Sequence, residues 1–453
     1  MPTRVLFAVL LLLILAGLLR PESKVAAGPE QLSFLYTAAK IYAPLAWMGG
    51  GERYPSGAIL MLHDSLGEHV LVPHFAASAD PVVSFDAQRV LFAGKLKAED
   101  PWQIWEKTLV GGEPRRITSG TEDCIRPFYL PEDRISYARK TAGHFAIEIA
   151  SLSGGKPPLV LTYGPADYLP TDILLDGRIL FEAAQPLGDK VTPELYTVYS
   201  DGSGVESYRC DHGHARYSGK QVSSGDIVFA TGSGLGRFTS TQAYEVPIAT
   251  PAGEYAGEVA ETSLGEWLVS WRAHANEPFR LMLWKPGAPS LLPVLTGQTG
   301  NALQPTIIRE RRVPNRHPSG LHDWDNANLL ALNAYTSKYK FANDSIRSVR
   351  FYTRDVAGNT KLLGTAPVER DGSFFVHVPT EQPLQIELLD NSGQTLKRES
   401  GFFWMRRGEQ RVCVGCHAGP ETAPENAAPR ILLKSTTPTD LTGALAQHAS
   451  GGH

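Results

Sequence analysis

Short apolar runs alternate with polar turns over most of this chain, and between residues 58 and 312 they recur with a fixed period. Each unit is a short strand, a turn carrying Asp, Glu or Gly, then an apolar strand ending in an aromatic residue. Residues 80–92 (DPVVSFDAQRVLF), 126–137 (RPFYLPEDRISY), 169–181 (LPTDILLDGRILF) and 216–229 (RYSGKQVSSGDIVF) are four copies. Residues 262–271 are a degenerate fifth copy, and residues 304–308 begin a sixth. The markers Pro81, Pro127, Pro170, Ala215, Thr262 and Pro305 lie 46, 43, 45, 47 and 43 residues apart. A period near 45 with about four strands per unit predicts a β-propeller; the strands of a sandwich recur every ~8–12 residues. Six copies predict six blades, with strands from residues 58–75 closing the ring against the last.

The repeats resemble the blades of TolB-like propellers, in a P-x-x-S-x-D-G-x-x-I-x-F core and a turn such as Gly111-Gly112, and the second and third copies match best. Ahead of them, residues 32–43 (LSFLYTAAKIYA) are amphipathic and predict a short helix, which makes residues 28–57 a lead-in to the propeller. A Pro-containing polar linker at residues 313–320 ends the repeats. Beyond it, apolar runs at 328–335, 346–352, 362–368, 373–378 and 384–389, with turns at Asp371-Gly372 and Asp390–Gly393, predict a small antiparallel β-sandwich over residues 321–400. The Pro- and Ala-rich residues 431–453 predict a disordered tail.

At the start, Arg4 precedes an apolar run over residues 5–19, and Val25-Ala26-Ala27 supplies small residues before Gly28. Residues 1–27 therefore read as a secretory signal. The run is shorter than the roughly 20 residues of a membrane span, with an uncleaved anchor as the alternative. The expected location is the periplasm. A 42% hydrophobic and 20% charged composition with net charge -4 describes a globular chain without the basic balance of a nucleic-acid binder. Four cysteines are too few for a disulfide scaffold.

Two of those cysteines stand in Cys413-Val-Gly-Cys416-His417. C-x-x-C-H is the spacing that attaches a c-type haem: each thiol forms a thioether to one vinyl group, and the histidine takes an axial position on iron. The βαβ context of a thioredoxin motif is absent, and no second Cys or His pair lies nearby for a structural zinc. The expected fold is thus mostly β, a six-bladed β-propeller followed by a small β-sandwich with a haem-binding segment at residues 401–430. Only 36 residues follow His417 and none is Met, so the rest of the chain must cover the other haem face. The expected haem position is between sandwich and propeller. Candidates for its distal side are His214, His212 and Met405, the last Met in the chain. Asp80, Asp123-Cys124, Asp167-Tyr168, His212, His214 and Gln304 precede inner strands and are expected to converge at one channel mouth. Cys124 and Cys210 are alternatively a disulfide, although about two blades separate them.

With the motif in view, the chain resembles the hydrazine synthase alpha subunit and its relatives over roughly residues 318–430. The resemblance rests on residues 318–323 (PSGLHD), 367–374 (PVERDGSF), 388–390 (LLD), 408–417 (GEQRVCVGCH) and 423–426 (APEN). It implies a haem held near a zinc ion, for which Cys124 is the analogue of a propeller cysteine. In that family a tyrosine four residues after the motif histidine binds the iron. Glu421 stands there in this chain, so His417 remains the expected iron ligand. A second haem domain of that family has no counterpart, since there is one C-x-x-C-H, and hydrazine synthesis by this chain alone is not expected. Three functions compete. The first is electron transfer to a redox partner by an exported monohaem cytochrome-like protein. The second is a haem enzyme acting on a small nitrogen compound or peroxide. The third is a propeller scaffold for partner proteins.

Overall fold

A computed structural model describes residues 32–187, 190–209, 213–232, 234–240, 243–337, 339–355, 358–415 and 426–443. Six antiparallel sheets, each a meander of four strand positions, form a β-propeller. The innermost strands are Ala77–Val83, Cys124–Leu130, Asp167–Ile173 and Tyr217–Gln221 in the first four blades. In the fifth the inner position is split between Glu254–Tyr255 and Ala260–Glu261, and in the sixth it is Asn301–Ile307. Most of these inner strands are buried on both faces, because neighbouring blades pack on either side, and they show no in–out alternation.

The sixth blade joins the two ends of the propeller sequence. Asn301–Ile307 pairs with Phe34–Ala39, which pairs with Ile59–Asp64 and then Gly67–Val70. Residues 32–43, expected as a short helix, thus supply a strand, and the propeller begins inside the expected lead-in. The reason is burial. Phe34–Ala39 is covered on both faces, so its apolar residues do not alternate and their spacing mimics a helix.

The second domain is a β-sandwich of two four-stranded sheets. One is wholly antiparallel, in the order Thr360–Pro367, Ser348–Arg354, Leu384–Leu389, Thr395–Arg398. The other is mixed. Its centre is the antiparallel pair Ala327–Ala331 and Phe374–Val378, and both edges are parallel additions from the C-terminal part of the chain, Gln410–Cys413 and Thr439–Asp440. The expected all-antiparallel sandwich therefore holds for one sheet only. The expected disordered tail is likewise structured in part: Arg430–Lys434 forms a short helix, and Leu441 is buried in the sandwich core.

The sandwich is fastened to the rim of the propeller by Trp404. This residue is fully buried in the propeller's main core, with ring contacts to Tyr163, just beyond the second blade, and to Tyr168 and Phe181 of the third. Its neighbour Met405 is fully buried in the sandwich core instead. Consecutive residues in an extended chain point to opposite sides, so one dipeptide joins two cores. Trp404→Ala should destabilise the folded protein by about 3–5 kcal/mol, the usual cost of emptying a buried Trp site. Guanidinium denaturation is the check; a loss below roughly 1 kcal/mol would mean that this side chain does not couple the domains.

Candidate functional site

The motif's first cysteine ends the edge strand Gln410–Cys413, opposite Ala331. The Leu332 N–H donates to the Cys413 carbonyl at 2.8 Å, which extends the pairing past the last ladder position. Strand alternation turns Cys413 and Arg411 toward the protein, while Val412 and Val414 are 57% and 50% exposed. The Cys413 side chain borders the sandwich core that contains Met405, and burial raises its thiol pKa. Gly415 lies against the loop at 333–336; a Cβ there would sit 2.5 Å from the Thr336 carbonyl oxygen. A glycine between the two cysteines is what lets the motif backbone lie on that loop. Cys416 and His417 lie outside the described residues.

The segment leading into the motif is clamped to the third blade by a buried carboxylate, Glu409. It accepts from the Arg406 N–H at 2.8 Å, from the Gly204 N–H at 3.0 Å, and from Arg411 at 2.8 and 2.6 Å. Arg411 also donates to the carbonyls of Trp404 at 3.1 Å and Val205 at 3.3 Å. Arg406 reaches the Tyr163 hydroxyl and pairs with Glu381 at 2.8 Å. The blade accommodates this with glycine: a Cβ on Gly202, at φ +85°, would lie 2.7 Å from Arg406 Cδ. Sequence reasoning missed Glu409 and Arg411 as a clamp, although both stand in the run just before Cys413. Their partners, Gly204 and Val205, lie 205 and 206 residues away, and nothing local marks them.

The other expected site residues do not gather around the motif in one funnel. His214 is exposed on the loop between the third and fourth blades, and His212 and Cys210 lie outside the described residues. Cys124 is fully buried at the start of an inner strand, its thiol pushed up to about 11 by burial. Among the described residues no group of three His, Cys, Asp or Glu side chains is placed to hold a metal ion. Asp123 and Asp167 are engaged elsewhere, accepting from the Trp102 N–H at 2.9 Å and the Phe145 N–H at 2.7 Å. Each secures a strand of the blade before it.

Asp80 and Gln304 do meet, on the propeller axis, in a set that the strand starts did not reveal. Inner strands carry a bulge there, with Asp80, Arg126, Ser218 and Gln304 at φ 54–58°. Three of the four immediately precede a marker proline or its strand neighbour, so the position was visible in the repeat. Asp80 pairs with Arg53 at 2.6 Å and accepts from Gln304 Nε2 at 2.6 Å and from the Arg126 N–H at 3.0 Å. Arg126 pairs with Glu258, and the Tyr54 hydroxyl donates to Gln304 at 2.7 Å. Burial would raise Asp80, but the Arg53 guanidinium outweighs it and holds the carboxyl at about 2. Glu182, which accepts from the Ser218 N–H at 2.6 Å, is pushed up to about 7 by burial. Arg126 opposes that rise without cancelling it.

Comparison with known proteins places this geometry. Residues 333–418 match the family described as hydrazine synthase alpha subunit middle domain. Among solved structures, Kuenenia stuttgartiensis hydrazine synthase is similar with a TM-score of 0.75 at 16% identity, over 90% of this chain and 72% of that one. TolB from Acinetobacter baumannii is similar with a TM-score of 0.46 at 14% identity, over 63% of this chain and 67% of its own. A search of curated proteins found no match.

The Glu182 position carries a pH signature. Its folded pKa, about 7, lies above the ordinary 4.5, so its contribution to stability is full below pH 4.5 and is lost as pH rises through 7. Glu182→Gln should therefore gain stability over the native chain between those values and keep the gain above pH 7, on the order of 2–3 kcal/mol. Urea denaturation at pH 5 and pH 8 reads the difference; equal gains at both would contradict it.

Proposed function

From the premise that this chain is hydrazine synthase alpha subunit-like in its middle domain and fold, we propose that it is an exported protein carrying one covalent haem. In this reading Cys413 and Cys416 form the two thioethers and His417 is the axial iron ligand. The observation that carries it is C-x-x-C-H itself, set at the end of an anchored strand. The described half of the motif fits the group. Cys413 is only partly buried at a sheet edge, its carbonyl is tied to Leu332, and the exposed side chains of Val412 and Val414 offer apolar surface beside it.

When bound, the haem supplies an iron that takes up and returns one electron. The chain's own residues do the placing. Glu409 and Arg411 fix the strand against the third blade, and Trp404 holds the sandwich to the propeller rim. This sets the motif beside the third blade, where Gly204 and Val205 hold Glu409 and Arg411. A site on an edge strand, with exposed residues on either side of Cys413, suits electron exchange with a redox partner protein in the periplasm. Among the described residues no helix is long and apolar enough to cross a membrane. A second reading, a haem enzyme acting on a small nitrogen compound or peroxide, is favoured by the middle-domain match, which runs through the motif to residue 418.

The test is expression alongside a cytochrome c maturation system, followed by haem staining of denatured protein. Wild type should retain haem, and Cys413→Ala or Cys416→Ala should lower or abolish that retention. Wild type without covalent haem would end the proposal. Absorption and EPR spectra then separate the readings: a six-coordinate low-spin iron supports electron transfer, and a high-spin iron that binds CO supports the enzyme.

A further inference from the structure

Below the charged set on the propeller axis the channel opens into a cavity of about 470 Å³. All six blades line it, and the segment at 309–312 that leaves the last blade borders its mouth. The size is that of a small-molecule site. Its walls are largely apolar, with Pro81, Pro127, Pro305, Ile173 and Val259 among them.

The charges around this cavity do not cancel by pairing. Each carboxylate on the blade walls is already engaged. Asp80 is held by Arg53, Glu258 by Arg126, and Asp172 by Lys220 at 3.2 Å. Glu261 accepts from the Ser223 N–H at 2.7 Å and its hydroxyl at 2.9 Å. The cations of the bordering segment have no such partner. Arg309, Arg311 and Arg312 form no ion pair among the described residues, and the one remaining acid on the segment, Glu310, is exposed. Arg311 donates to the Val83 carbonyl at 2.7 Å and stacks 4.8 Å over the Phe85 ring. Burial lowers its pKa; the Asp172 carboxylate opposes that fall, and the guanidinium of Arg309 adds to it. Two cations that line one partly apolar cavity without an ion pair are relieved by an anion between them.

We propose that the propeller channel is a binding site for a small organic anion, with Arg309 and Arg311 taking its carboxylate or phosphate group and the proline-rich walls its apolar part. The site is separate from the haem motif, and the proposal stands whether or not haem is bound. The anionic group enters at the segment that continues into the linker, so ligand contact is made with the chain that joins the two domains.

Isothermal titration calorimetry of the whole protein tests this with two probes, succinate for a carboxylate and inorganic phosphate for a phosphate. Saturable binding of either probe is expected. Loss of a charged hydrogen bond should weaken it roughly tenfold or more in Arg309→Gln. Arg311→Gln should weaken it also, but that side chain holds Val83, so Arg309→Gln, checked for native circular dichroism, is the deciding variant. Arg115→Gln, on the outer strand of the first blade, should bind as wild type does. Absence of saturable binding for both probes, or equal affinity in wild type and Arg309→Gln, would overturn the proposal.

Discussion

One side chain decides how the two domains of this protein sit together. Trp404 belongs by sequence to the sandwich and by burial to the propeller. A fully buried tryptophan contributes more apolar area than any other single residue can, and here it fills a place among aromatic rings of the propeller. The contact alone would allow rotation. The hydrogen bonds of Glu409 remove that freedom, because a carboxylate that accepts from two backbone N–H groups and an arginine has one satisfactory orientation. Cys413 follows four residues later on a paired strand. The starting point of the C-x-x-C-H motif is therefore fixed relative to the third blade, through contacts lying within a dozen residues of it.

The propeller axis is organised on the opposite principle. Around the rim the blades meet through apolar faces. At the axis the inner strands bulge, and polar residues at the bulges hydrogen-bond directly to one another. Asp80 draws together Arg53, from the connection between Phe34–Ala39 and Ile59–Asp64, Arg126 of the second blade and Gln304 of the sixth. A buried acid so fully satisfied is tolerable, whereas removing one partner would leave a charge stranded. Glu182 forms no ion pair among the described residues, and burial keeps its pKa high.

The sequence period made the six blades legible, because each repeat places the same strand, turn and proline at the same spacing. The sandwich was legible from its turns and alternation. The closing strand was not, since Phe34–Ala39 is buried on both sides and presents no two-residue rhythm. The parallel edges of the sandwich were hidden for a different reason: Gln410–Cys413 and Thr439–Asp440 join a sheet whose centre lies up to a hundred residues earlier, and short edge strands carry little pattern of their own. At the candidate site, the two thiols and the histidine were evident from spacing alone. Of the expected ring of supporting residues, Asp80 and Gln304 do sit at the bulge, but Asp123 falls three positions short of it. Asp123 was aligned with Asp80, while the true counterpart of Asp80 is Arg126, which sits at the same bulge.

The shared sixth blade also constrains how the chain acquires its shape. The Thr37 hydroxyl meets Gln304 across 267 residues of sequence, so the ring cannot shut until nearly the whole propeller has emerged. Contacts this distant along the chain slow folding, and the waiting strand, Phe34–Ala39, exposes unpaired edges and apolar faces in the meantime. While the rest of the propeller is still being made, that early strand is the part of the molecule most in need of a chaperone's cover.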